Sequence, residues 1–190
     1  MRSFDPRAVG ERECCAWASY YRRDWLAFLV AAVGMVRAAF RMSWPRTLLG
    51  AWLVLRANQV WAPYPDNDPD QARALMARFY RLLRASSGER FDPVEAARLE
   101  VEWWRVHREH QREDRPGARA ELVRALAALY AYCYTVQVDE VERAAALRAE
   151  AMDVSDAWVA AGCRPDDPQL ATERSLLVRS YAALLAAVHR

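Results

Sequence analysis

Four Asp-Pro steps constrain this chain more than any other feature: Asp5-Pro6, Asp68-Pro69, Asp92-Pro93 and Asp167-Pro168. An aspartate carboxylate accepts the orphan amides of a helix's first turn. Proline suits the next position because its missing N–H would be unpaired there anyway. After the third and fourth steps, Val94-Glu95 and Leu170 to Glu173 continue as amphipathic helix. Ser86-Ser87-Gly88, Pro116-Gly117 and Gly162 interrupt the apolar period and read as stops. These signals place helices near 8–42, 45–61, 69–86, 93–113, 118–161 and 168–189. No segment alternates with the two-residue period of a strand. The expected fold class is all-α: a single domain over residues 1–190, built as a bundle of six to eight helices.

The count is a range because two spans are too long. Residues 118–161 would extend about 66 Å at ~1.5 Å per residue, more than a compact domain of this size allows. Thr135-Val136-Gln137-Val138 is β-branched, and Asp139 with Glu142 has capping-box spacing, so a break is expected near 136–139. The span 8–42 should bend at Asp24 or Gly34. Residues 62–69 read as a rigid turn. Asp66, Asp68 and Asp70 there lack the central glycine and terminal glutamate of a calcium loop, so capping is their expected role.

Composition removes several kinds of chemistry. Every basic side chain among the 27 is arginine, and without lysine there is no Schiff base and no phosphate-loop lysine. A net charge of +2 is too small for a broad nucleic-acid surface. The run Trp25 to Val36 is shorter than the roughly 20 residues a bilayer needs, so no membrane partner is expected. Residues 1–13 lack the apolar core of a secretory signal, which makes a reducing cytoplasmic setting the expectation. Cys14, Cys15, Cys133 and Cys163 with His107, His110 and His189 give no zinc spacing.

Function has to be sought where polar side chains fall on apolar faces. On the helix from Pro93, Glu100, His107 and Gln111 lie near the centre of the apolar face, flanked by Trp103 and Trp104, with His110 at its edge. A carboxylate among indoles has its pKa raised, which suits a general acid or base. The next helix carries Tyr130, Cys133, Tyr134 and Gln137 on its apolar stripe, with Glu140 and Arg148 in phase if it continues. The connection at 116–117 is short, so the two helices are antiparallel neighbours, and Glu100 should stand level with Tyr130 and Tyr134. Arg56 shares a face with Leu49, Trp52, Leu53 and Val60, beside Gln59. Its guanidinium calls for a carboxylate: Glu100 or Glu140 internally, or one on a ligand. Glu173, near the start of the last helix, favours that helix's dipole.

This inventory points to a metal-independent small-molecule enzyme with lyase, isomerase or cyclase chemistry on an apolar or aromatic carboxylic acid. Arg56, Gln59, Gln111, Gln137, Glu140 and Arg148 would hold the ligand against Trp52, Trp103 and Trp104. Glu100 or His107 would move the proton, and Tyr130 or Tyr134 would hold the developing oxyanion. No cofactor is expected. The first alternative is a non-catalytic interaction or dimerisation module whose buried polar groups fix helix register, with a second copy of the chain as partner. The second is a carboxylate/His metal-dependent, oxygenase-like bundle, although no Glu-x-x-His pair occurs. A helix-turn-helix regulator ranks below these.

Overall fold

The computed structural model of the chain describes residues 1–112 and 117–189, and among them the backbone is all-helical, with no strand. The elements are α1 (Pro6–Tyr21), α2 (Trp25–Phe40), α3 (Trp44–Trp61), α4 (Pro69–Ser87), α5 (Pro93–His110), α6 (Ala118–Tyr134), α7 (Val138–Ala160) and α8 (Gln169–Ala187). None of them is long and apolar enough to cross a membrane, among the described residues.

All four Asp-Pro steps open helices. Asp5 accepts from the amide of Arg7 at 2.9 Å, Asp68 from Gln71 at 2.9 Å, Asp92 from Val94 at 2.8 Å and Glu95 at 3.0 Å, and Asp167 from Gln169 at 2.9 Å. The long first span breaks at Asp24, not Gly34. Arg23 turns left-handed (φ 60°), and the Asp24 carboxylate accepts from Ala27 N at 3.0 Å to start α2. The other long span breaks at residues 135–137, where Thr135 is left-handed (φ 53°). Glu140, three residues past Gln137, accepts from the Gln137 amide at 2.8 Å, so the cap lies two residues earlier than the Asp139–Glu142 spacing suggests. Pro116, half of one expected stop, and residue 113, the expected end of its helix, lie outside the described residues. Gly117 (φ 86°) precedes α6.

Each helix packs on the next, from α1 on α2 through α7 on α8, and α8 packs back on α1. Short connections make sequence neighbours into spatial neighbours. The α8–α1 contact then closes the series into a ring. That closure is tight at Gly10, where a Cβ atom would stand 2.7 Å from Val178 N and 3.0 Å from Leu177 C, both backbone atoms of α8. Gly10→Ala should therefore push α1 off α8 and cost about 1–3 kcal/mol. A urea midpoint equal to that of the unaltered chain would contradict this.

Helix α3 corrects one sequence expectation. Its buried side is Thr47, Gly50, Ala51, Leu53, Val54, Leu55, Ala57 and Trp61, while Leu48, Leu49, Trp52 and Arg56 face outward. Small residues let α3 approach its neighbours closely: a Cβ on Gly50 would already touch Phe79 and Val36 side chains at 3.4–3.5 Å. The face with bulkier apolar groups is thus the outer one.

Candidate functional site

Ring closure leaves a hollow on the axis. It has a volume of about 190 Å³, and all eight helices contribute to its wall. By comparison, an apolar cavity of roughly 150 Å³ accepts a benzene ring. Most of the wall is apolar, including Val36 of α2, Val54 of α3, Phe79 of α4, Leu129 of α6 and Leu184 of α8. Against that lining stand two connected polar groups.

The first centres on Glu100 of α5. Tyr80 of α4 donates to Glu100 Oε2 at 2.7 Å, and Trp104 Nε1, one turn along, donates to Oε1 at 3.2 Å. Burial raises the Glu100 pKa above the ordinary carboxylate value. The Arg148 charge and the Tyr80 and indole donors oppose that rise without cancelling it. Burial and the Glu100 charge in turn push the Tyr80 phenol well up, so Tyr80 remains a proton donor.

The second group joins three helices. Arg148 of α7, 9% exposed, donates through Nη2 to Glu13 of α1, 2% exposed, and through Nη1 to the Tyr130 hydroxyl of α6 at 3.1 Å. Its guanidinium carbon also lies 4.8 Å from the centroid of the Trp103 ring. Burial works against the arginine's charge, but Glu13 and the surrounding phenols and carboxylate outweigh it, and its pKa is raised. Burial raises the Tyr130 phenol, with Arg148 pulling the other way. Two buried atoms of residues in this wall have no hydrogen-bond partner among the described residues: Glu13 Oε2 and Arg148 Nε. Buried polar atoms are normally paired, so each of these is a cost the fold carries at this wall.

The sequence-derived candidates divide into three groups. Glu100, Trp103, Trp104, Tyr130, Tyr134 and Arg148 share the wall of this cavity. Burial also raises the Tyr134 phenol. His107 and Gln111 lie further along α5 and line a neighbouring hollow instead. There His107 Nε2 faces Asp156 Oδ2 at 3.2 Å, and Gln111 donates to Asp156 and to the Tyr21 hydroxyl at 2.8 Å, tying α5 to α7 and α1. Two helical turns, about 10 Å along the axis, separate His107 from Glu100.

The remaining candidates lie outside the cavity. Trp52 is 50% exposed, and Arg56 donates to its neighbour Gln59 at 2.7 Å rather than to any carboxylate. Gln137 and Glu140 are exposed at the start of α7, where the break turns them away from the axis. Among the described residues, no three His, Cys, Asp or Glu side chains gather as metal ligands, so the oxygenase alternative finds no donor set.

Glu13 and Tyr80 were not among the sequence candidates. Both were readable in principle, since Glu13 falls one helical turn from Val9 and from Ala16, and Tyr80 follows Met76 and precedes Leu83 at the same spacing. Glu173, expected to favour the dipole of the last helix, is a buried residue of α8. It is 0% exposed and enclosed beside Cys14 and Ser155.

The chain matches no protein-family model, no curated protein and no solved structure. What fold and site define is therefore a structural class: a closed ring of helices around an apolar cavity with a carboxylic acid and a compensated arginine in its wall.

Proposed function

We propose that the chain is an acid–base enzyme of lyase, isomerase or cyclase type, acting in this cavity on a small apolar or aromatic molecule. Glu100 exchanges the proton, and Tyr80 tunes it by donating to its second oxygen. The Tyr130 hydroxyl would meet developing negative charge on the bound molecule, with the Arg148 charge behind it. Trp103, Trp104, Phe79 and Leu129 exclude water, which strengthens each of these interactions. The observation that carries this reading is the coincidence of room with buried ionisable side chains: Glu100, Glu13, Arg148 and Tyr130 line a hollow large enough for a ring. The carboxylate anchor expected at Arg56 has no place in it.

The interaction-module reading keeps one supporting observation. Leu26 and Val30 of α2 and Trp44, Leu48, Leu49 and Trp52 of α3 are all exposed, an apolar surface that a second copy could cover. One experiment separates the two readings: melting of the wild-type chain and Glu100→Gln with and without 2-naphthoate. The enzyme reading expects Glu100→Gln to melt within a few degrees of wild type while its ligand-induced shift changes by at least half. A purely structural network expects a lower melting point and no naphthoate shift in either protein.

A further inference from the structure

A second hollow of about 330 Å³ adjoins the first, and Trp17, Phe28, Asn58, Trp103 and Trp104 line both. Its character is different. Arg23, Arg108 and Arg112 line it, together with Tyr20, Trp61, Tyr64 and His107, and among the described residues no carboxylate does. The arginines are held in place by the neutral groups around them. Arg108 Nη2 donates to Trp61 O at 2.8 Å, with its guanidinium carbon 4.2 Å from the centroid of the Trp61 ring. Arg112 stacks on Tyr64 at 3.4 Å, and Arg23 Nη2 donates to Ala62 O at 3.2 Å.

These contacts fix the geometry but leave the charge unanswered. Arg108 Nη1 is buried and has no hydrogen-bond partner among the described residues. Burial lowers the Arg108 pKa, the neighbouring Tyr20 hydroxyl opposes that fall, and the positive charges of Arg112 and Arg23 add to it. Asp156 is already engaged by His107, Gln111 and Tyr21 at the edge of this hollow. Three guanidinium groups around one hollow, with no carboxylate among its described lining residues, form a receptor for an anionic oxygen head group.

We propose that this hollow holds the anionic head of the ligand, a carboxylate or phosphate, while the apolar body extends past Trp103 and Trp104, which line both hollows, into the central cavity. The substrate class is then a small single-headed amphiphile. The inference rests on the cavity reading above, because it takes the cavity as the seat of the body. It also moves the carboxylate anchor from Arg56 to Arg108, Arg23 and Arg112.

The test titrates the full chain with decanoate, decyl phosphate and neutral decanol, followed by indole fluorescence and calorimetry. Both charged probes should bind at least about tenfold tighter than decanol. That margin should vanish in Arg108→Met and in the surface pair Arg23→Gln with Arg112→Gln, which leaves the buried contacts of Arg108 intact. Decanol affinity should stay within about twofold in both variants. Ala39→Leu, which fills part of the central cavity wall, should weaken all three probes. A preference that survives in both arginine variants, or no preference in the wild type while Ala39→Leu still blocks decanol, overturns the head-group site and spares the cavity. Charged probes that bind unaffected by Ala39→Leu overturn the amphiphile proposal and the cavity reading together. Whichever charged probe binds more tightly identifies the head.

Discussion

Glu13→Ala is expected to destabilise the chain by about 3–5 kcal/mol, the largest loss from any single truncation in the cavity wall. The Arg148 guanidinium would stay buried between Trp103 and Tyr130 with its carboxylate partner gone, and an uncompensated buried charge costs far more than an exposed one. The pair itself is worth much less than this. Desolvating both ions consumes most of their attraction, so Glu13→Leu combined with Arg148→Met should recover most of the loss. Urea unfolding of the two single variants and the double variant measures this directly. A double variant as unstable as the sum of the two single variants would mean that the two side chains are not coupled and that the argument from an uncompensated buried charge is wrong. Arg148→Met has a second expected effect: its charge holds the Glu100 pKa down, so removing it should raise that pKa further.

Glu173→Gln should do the opposite and stabilise the chain at alkaline pH. The wild-type carboxyl is enclosed by α8, Cys14 and Ser155, and burial pushes its pKa up to about 8 from 4.5, with Cys14 and Ser155 pulling it down only partly. Glu13 adds to the rise and Arg174 opposes it. Below pH 4.5 the group is protonated in both folded and unfolded chains and contributes no pH dependence. Between 4.5 and 8 the folded chain keeps a proton that the unfolded chain has released, so stability falls as pH rises, by up to about 1.4 kcal/mol per unit. Above 8 the full penalty is present and constant. Over the window the limit is roughly 5 kcal/mol, and relaxation of the site would reduce it. Melting at pH 5 and pH 9 should therefore show a wild-type drop that Glu173→Gln largely lacks. Equal drops in both proteins, with the variant no more stable at pH 9, would show that Glu173 is solvated or paired when charged.

These two residues show where sequence reasoning ran out. Helix starts were legible at the Asp-Pro steps because capping is a contact between residues two or three apart. The breaks at Asp24 and at 135–137 were legible for the same reason. Glu100 with Tyr130 and Tyr134 could be brought to one cavity wall by counting back from a short connection. The return of α8 onto α1 leaves no local trace, since it depends on Gly10 meeting a backbone more than 160 residues away. Without that closure there is no axis for Glu13 and Arg148 to point toward. Helix α3 failed for another reason. Its wheel was weighed by the size of apolar groups, whereas close packing had selected Gly50, Ala51 and Ala57 for the inside and left Trp52 and Arg56 outside. The arginines of the second hollow come from α5 and from the turns after α1 and α5, and only the folded ring gathers them.

The central claim is that Glu100 is a proton-transfer group in a cavity open to small apolar molecules. Hydrolytically inert 5-nitrobenzisoxazole tests it most directly, because a carboxylate base that takes its ring C–H proton breaks the N–O bond and releases a coloured cyanophenolate. The account predicts turnover faster than with the same concentration of acetate, rising with pH as Glu100 ionises at a pKa above the ordinary carboxylate value. It also predicts loss of at least about tenfold of that rate in Glu100→Gln, with melting little changed. A rate no greater than that of acetate, or one that Glu100→Gln leaves intact, would contradict it.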